Sequence, residues 1–243
     1  MAALSVRLNA AAARCRAMIE PFIFSTEADW LAALRAEFLA EQAAALARRP
    51  VFHVALSGGT TPVPFYHALA REALDWDRFA WWMGDERCAP DDSPANNGRM
   101  ARRAFAEVNV RFRFHPWDVA RPPEEAAAHY AVEMRTEIGA PPVFDLLLLG
   151  LGEDGHTASL FPGSPALSEN ARDATAAPGP PPHTRRLTLT YPTLNRARAA
   201  WFLVAGGAKA PMVRRLLDGD ETLPAARLRG PVQKLFWSRA ETA

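Results

Sequence analysis

Apolar positions fall into two alternating kinds of run, and their order along the chain predicts strand, helix, strand, helix. PFIFS (21–25) is a short apolar run that reads as a strand. Ser25 or Thr26 then offers an N-cap, and a helix is expected from Glu27 to Arg48. Its apolar positions Trp30, Leu31, Leu34, Phe38, Leu39 and Leu46 keep to helical spacing, and Pro50 ends it. VFHVAL (51–56) reads as a buried strand, SGGTTP (57–62) as a turn and 63–73 as a helix. FAWWMG (79–84) is a third strand; Trp81 and Trp82, being adjacent, must face opposite sides of it. A loop over 85–98, rich in Asp, Pro, Asn and Gly, leads to a helix at 98–107 and an alternating strand at 111–115. Loops of that length inside compact domains are more often functional than connecting.

Pro122 and Pro123 open a further helix that runs to Ile138. FDLLLLG (144–150) has no polar face, as a strand covered on both sides should. Residues 176–183 (AAPGPPPH) read as a surface excursion, because prolines exclude a helix there. RLTLTY (186–191) and AAWFLVAG (199–206) follow as strands, then a helix at 209–217 and a last strand, VQKLFWS (232–238). This alternation predicts an α/β fold of three layers, α/β/α, on a mainly parallel, Rossmann-like sheet. Residues 21–243 form the expected single domain. Residues 1–20 form an expected N-terminal extension.

The first 17 residues carry Arg7, Arg14 and Arg16 and no acid, which loosely resembles a transit peptide. The plainer reading is a frayed extension, or an upstream start with Met18 as the true first residue; either way residues 1–17 are expected to add nothing to activity. No apolar run reaches the roughly 18 residues of a membrane span. The net charge of +1 offers no general attraction to nucleic acid or membrane, and neither is expected as a partner. Cys15 and Cys88 are the only two cysteines, too few for a disulfide framework or a zinc set, and point to free thiols in the cytoplasm. Of the 28 basic residues only Lys209 and Lys234 are lysines, so each lysine invites a question about its role.

Ligands of open parallel sheets bind beyond the carboxyl ends of the strands. The loops that begin at Ser57, Gly84, Gly150 and Gly206 all leave strands at that end. In the first, Ser57, Gly58, Gly59 and Thr60 combine close backbone approach, hydroxyl donors and a following helix N-terminus, which suits an anion; a plain tight turn is the equal alternative. In the second, Arg87 can clamp a phosphate or carboxylate, Asp85 adds an acid, and Glu86 reads as a structural partner of the loop. The third, GLGEDGH (150–156), matches a dinucleotide fingerprint. That reading is rejected, because Pro162 and Pro165 stop any long helix and no ribose-binding acid follows. Asp154 and His156 sit two apart in a glycine turn and can work as a base and its orienting acid, with a capping Asp and a surface His as the alternative. In the fourth, Lys209 lies at a helix start, where a cation opposes the helix dipole and so suggests an anionic ligand. Arg186 starts a strand that can end nearby.

Together LSGGTTP (56–62), WWMGDER (81–87), GLGEDGHTASLFPG (150–163), RLTLTYPTLN (186–195) and GGAKA (206–210) resemble the 6-phosphogluconolactonase family, in its order and across residues 20–240. Related glucosamine-6-phosphate deaminases share similar loops but carry a glutamate five residues beyond the histidine, where this chain has Phe161, and an aromatic residue where it has Arg87. The resemblance implies a sugar-phosphate isomerase/deaminase-like fold. It also implies hydrolysis of 6-phospho-D-glucono-1,5-lactone to 6-phospho-D-gluconate in the oxidative pentose phosphate pathway, a carboxylic ester hydrolase needing no organic cofactor and no metal. It makes His156 the general base, Asp154 its support and Arg87 a partner of the oxyanion or of the phosphate. The SGGTTP backbone, Asp85, Lys209 and Arg186 complete the substrate site. A monomer or weak homodimer is expected. Two other readings stand beside it: an isomerase or deaminase using Asp85 as the proton-moving acid, and a non-catalytic sugar-phosphate sensor.

Overall fold

The computed structural model describes residues 19–106, 113–230 and 232–240. The expected N-terminal extension over 1–17, Cys15, and the expected helix and strand residues at 107 and 111–112 lie outside the described residues. The strands are β1 (Glu20–Phe24), β2 (Phe52–Leu56), β3 (Phe79–Met83), β4 (Asp85–Arg87), β5 (Phe114–His115), β6 (Leu146–Leu149), β7 (Ala174–Pro178), β8 (Arg185–Leu189), β9 (Ala199–Ala205) and β10 (Val232–Ser238). The α-helices are α1 (Glu27–Leu46), α2 (Val63–Ala70), α3 (Asn97–Ala104), α4 (Pro123–Glu137), α5 (Tyr191–Arg196) and α6 (Ala210–Leu217).

Seven strands form one sheet in the order β1-β10-β9-β6-β2-β3-β5, and every pairing in it is parallel. The central strands β2, β3, β6 and β9 are buried at every position, which is why their apolar runs are unbroken. Helices cover both faces, so the expected three-layer α/β/α architecture is present. On one face α1 lays down Trp30, Leu34 and Phe38, spaced at four residues and fully buried. Thr26 caps this helix, its hydroxyl accepting the Asp29 N–H at 3.1 Å. Trp81 packs on this side, stacked 6.1 Å from Phe38. Trp82 packs on the other, stacked 3.9 Å from His115 and edge-on to Tyr130 and Phe144.

A second, three-stranded antiparallel sheet, β4-β8-β7, is not foreseen by the apolar pattern. Two expectations are corrected by it. Residues 85–98 are not one loop, because Asp85–Arg87 continue the chain out of the main sheet and pair with Arg186–Thr188. The excursion at 176–183 is also shorter than expected: Ala176–Pro178 belong to β7, which forms a hairpin with β8. β8 ends at Leu189, and Pro192 at the helix start makes Tyr191 the first residue of α5 rather than the end of a strand. Gly84 is the branch point between the sheets: its N–H donates to Leu56 of the main sheet at 2.9 Å and its carbonyl accepts the Leu189 N–H at 3.0 Å.

Candidate active site

The four loops meet at the carboxyl end of the parallel sheet, around a cavity of about 280 Å³. Its walls include Ser57, Gly58, Gly59, Asp85, Arg87, His156, Arg186 and Lys209. Two expected residues stand off its wall. Thr60 turns the chain into α2, its carbonyl accepting the Val63 N–H, and Asp154 stands behind His156.

The first loop is held from below by Tyr66, whose hydroxyl bonds both the N–H and the carbonyl of Ser57 at 2.9 Å. Gly58 must be glycine for space: a Cβ there would fall 2.3 Å from the Asn97 side chain. Asn97 in turn donates through Nδ2 to the Asp85 carbonyl at 3.1 Å, so α3 closes the cavity against the second loop.

On the second loop the Asp85 carboxylate accepts the Ser159 hydroxyl at 2.6 Å. Burial pushes this carboxyl above its ordinary value, against the pull of Ser159 and of Arg186, His156 and Arg87. Arg87 and Arg186 are cross-strand partners in β4 and β8. Like charges set opposite each other repel; burial, with Arg87 adding to it, lowers the Arg186 guanidinium from its ordinary value. Arg87 donates to the Ala95 carbonyl at 3.1 Å, and Arg186 donates to the His183 carbonyl at 3.0 Å while lying 5.7 Å over the Phe161 ring. Both guanidinium groups stand on the cavity wall, an arrangement that can bind an anion.

The third loop makes tight turns after β6 and opens no α-helix at its third glycine; the next helical turn is the short 3₁₀ segment Pro165–Ser168. That geometry agrees with the rejection of a dinucleotide site. His156 Nδ1 stands 2.5 Å from Asp154 Oδ1, which also accepts the His156 backbone N–H at 3.1 Å. Partial burial pushes the Asp154 carboxyl up, but the bonds from His156 outweigh it and hold the group below its ordinary value. Gly152 leaves room for the imidazole, since a Cβ there would sit 2.0 Å from Nδ1. With Nδ1 engaged by the carboxylate, Nε2 is the nitrogen left to exchange a proton with a ligand. The Phe161 ring lies 4.4 Å from the imidazole.

Lys209 ends a 3₁₀ turn (Gly207–Lys209) and caps α6, its ammonium 3.8 Å from Glu153, a side chain that is itself largely exposed. Ser159, Asn97 and Gly152 were not singled out from the sequence. The hydroxyl three residues past the histidine and the Asn pair that closes the acidic loop are the signals that point to the first two. Among the described residues, no group of three or more His, Cys, Asp or Glu stands together as a metal site, and no helix is long and apolar enough to cross a membrane.

The pattern of the glucosamine-6-phosphate isomerases/6-phosphogluconolactonase family matches residues 25–237. A 6-phosphogluconolactonase of Synechocystis sp. is 44% identical over 202 residues, spanning 79% of this chain and 83% of that protein. A rat 6-phosphogluconolactonase is 36% identical over 240 residues, 91% of each chain. Among solved structures, the 6-phosphogluconolactonase of Thermotoga maritima superposes with a TM-score of 0.81 at 28% identity, covering 90% of this chain and 99% of that one. With the family pattern running from Ser25, just after β1, to Trp237 in β10 and through all four loops around the cavity, the chain belongs to the glucosamine-6-phosphate isomerase/6-phosphogluconolactonase family.

Proposed function

We propose that this chain hydrolyses 6-phospho-D-glucono-1,5-lactone to 6-phospho-D-gluconate, the lactone-opening step of the oxidative pentose phosphate pathway. The observation that carries the choice within the family is the pairing of His156 with Asp154 on one side and with the Phe161 ring on the other. A deaminase needs a second carboxylate beside the histidine; here an aromatic ring occupies that place, and the histidine has one acid and one task.

In this reading His156 Nε2 takes a proton from water as the water oxygen bonds to the lactone carbonyl carbon. Asp154 holds the Nδ1–H and supports the imidazolium. Negative charge gathers on the carbonyl oxygen and is met by the Arg87 guanidinium. As the tetrahedral intermediate collapses, the bond to the ring oxygen breaks and imidazolium returns its proton to that oxygen. The new carboxylic acid then ionises to solvent. The Ser57–Thr60 backbone, Lys209 and Arg186 hold the phosphate, and Asp85 accepts a sugar hydroxyl. We read residues 21–243 as one catalytic domain, cytoplasmic, acting as a monomer or weak homodimer and binding neither nucleic acid nor membrane.

The test is a continuous assay with freshly made 6-phosphogluconolactone beside its unphosphorylated counterpart, with spontaneous opening subtracted. Strong preference for the phosphorylated lactone, and a loss of about 10²–10⁴-fold in turnover for His156→Ala, are expected. Ammonia release from glucosamine 6-phosphate, or wild-type turnover by His156→Ala, would overturn the reading.

A further inference from the structure

The reaction above gives no step to Glu86, yet its side chain is 1% exposed, buried between Asp85 and Arg87, which line the cavity. One carboxylate oxygen accepts the N–H of Arg87 at 2.8 Å and the N–H of Asn97 at 2.7 Å; the other accepts the N–H of Gly98 at 2.8 Å. Those three donors come from two elements, β4 and the first residues of α3. Both elements send a side chain into the cavity wall: Arg87 from the strand and Asn97 from the helix. The link is closed a second time, since the Arg87 guanidinium donates to Ala95, two residues before Asn97, and Asn97 donates back to the Asp85 carbonyl.

Capping accounts for only part of this carboxylate's bonding: Asn96 caps α3 at the Arg99 N–H, at 2.7 Å, and Glu86 takes the first two N–H groups of the helix, but its bond from the Arg87 N–H reaches outside α3 to β4. Stability does not account for it either. Burial pushes the Glu86 carboxyl up to about 7 in spite of its three N–H partners, so holding it ionised at neutral pH opposes folding. A charge kept where it costs stability, between two residues of one cavity wall, fits a role in that cavity.

We propose that Glu86 is a positioning residue of the active site: its carboxylate fixes Arg87 and Asn97 relative to each other, and so sets where the guanidinium stands against the Ser57–Gly59 turn. The inference rests on the lactonase reading for its assay but not for its geometry. Asn97 meets that turn over Gly58, where no side chain but hydrogen fits.

The test is a double-mutant cycle between Glu86→Gln and Arg87→Ala. Glutamine keeps the shape but turns an NH₂ group toward a backbone N–H. If Glu86 acts through Arg87, E86Q lowers kcat/KM about 10-fold or more in the wild-type background and less than about 3-fold once Arg87 is gone, a coupling within the range for residues of one hydrogen-bond network. A residue that only supports the fold would reduce both backgrounds by the same factor. Equal factors, or wild-type kcat/KM in E86Q, overturn the inference. Should E86Q not fold, E86D, which keeps the charge and withdraws it by one methylene, carries the same cycle. Wild-type chain that opens no lactone would mark failure of the lactonase reading alone. The cycle is then read from equilibrium binding of 6-phosphogluconate, which needs no turnover, with the same equal-factor outcome counting against Glu86.

Discussion

Replacing Asp154 by Asn keeps the side chain's shape and removes the charge behind His156. In the folded chain one oxygen, Oδ1, takes both the Nδ1 contact at 2.5 Å and the His156 backbone N–H at 3.1 Å, and the Asn oxygen can keep both. What is lost is the attraction between a carboxylate and the imidazolium that, in the proposed reaction, forms as water is deprotonated. In a buried serine-protease triad the same exchange costs about 10⁴ in turnover. Here the Asp154 side chain is 48% exposed and the His156 side chain 31%, so solvent screens the pair. Two unit charges at about 4 Å interact by ~1 kcal/mol in water and ~4 kcal/mol near a protein surface. A half-exposed pair lies between, so Asp154→Asn is expected to raise the barrier by about 1.4–2.7 kcal/mol, or ~10–100-fold in kcat. KM should hold, because the proposed phosphate site, the Ser57–Thr60 turn with Arg186 and Lys209, is untouched. The assay is initial-rate hydrolysis of fresh lactone at several substrate concentrations. A urea melt should show that stability has moved by no more than about 0.5 kcal/mol, as for other exposed sites. A kcat within twofold of wild type would refute the pairing as a working dyad.

Two further outcomes follow from the same structure. Gly152→Ala places a Cβ 2.0 Å from His156 Nδ1 and 2.7 Å from Asp154 Oδ1, so the ring must leave its position; kcat should fall as far as in His156→Ala while the urea midpoint changes little. His53 is buried, accepts a long bond from the Trp82 indole at 3.4 Å, and is pushed down to about 4 by burial and by the nearby Arg113 and Arg49 charges. It is neutral in the folded chain while the unfolded chain takes up a proton below about 6.5, so its contribution is complete above that pH and drains away as pH falls toward 4, by about 3 kcal/mol in all. Urea melts at pH 7.5, 5.5 and 4.5 should show His53→Asn losing less stability on acidification than wild type; parallel losses would show that His53 is not the group being protonated.

The main sheet is legible in the sequence because its strands are buried on both faces, and runs such as Leu146–Leu149 and Ala199–Ala205 leave no polar position to disguise them. The small sheet is not. Asp85–Arg87 is three charged residues, and β7 is alanine, threonine and proline. Neither has the alternation that marks a half-buried strand, and β4 becomes one only because β8, about a hundred residues later, pairs with it. Two of the three side chains that break the apolar pattern, Asp85 and Arg87, line the cavity. The prolines at 178–182 likewise drew attention to a loop and hid the strand that ends in it.

The site divides along a similar line. Residues whose partner lies close in sequence were readable, as with Asp154 and His156, or with the first loop and the helix it opens. Residues whose partner lies far away were not. Ser159 meets Asp85 across 74 positions, and no spacing rule links a serine in one loop to an acid in another. Yet that bond decides what Asp85 can do. An acid whose charge is balanced by two arginines alone would fold as an ion pair and take their positive charge from the cavity. With Ser159 on its Oδ2 at 2.6 Å, Asp85 is held against the histidine loop, while Arg87 Nη1 and Arg186 Nε donate to carbonyl oxygens at Ala95 and His183. Asp85 and Glu86 act on the Arg186 charge through space, but the hydrogen bonds of both guanidinium groups to neutral carbonyls leave their remaining N–H donors available to an anion such as a phosphate or a developing oxyanion. In the proposed site, the availability of the two arginines to an anion therefore depends on a serine and two carbonyls as well as on the arginines themselves.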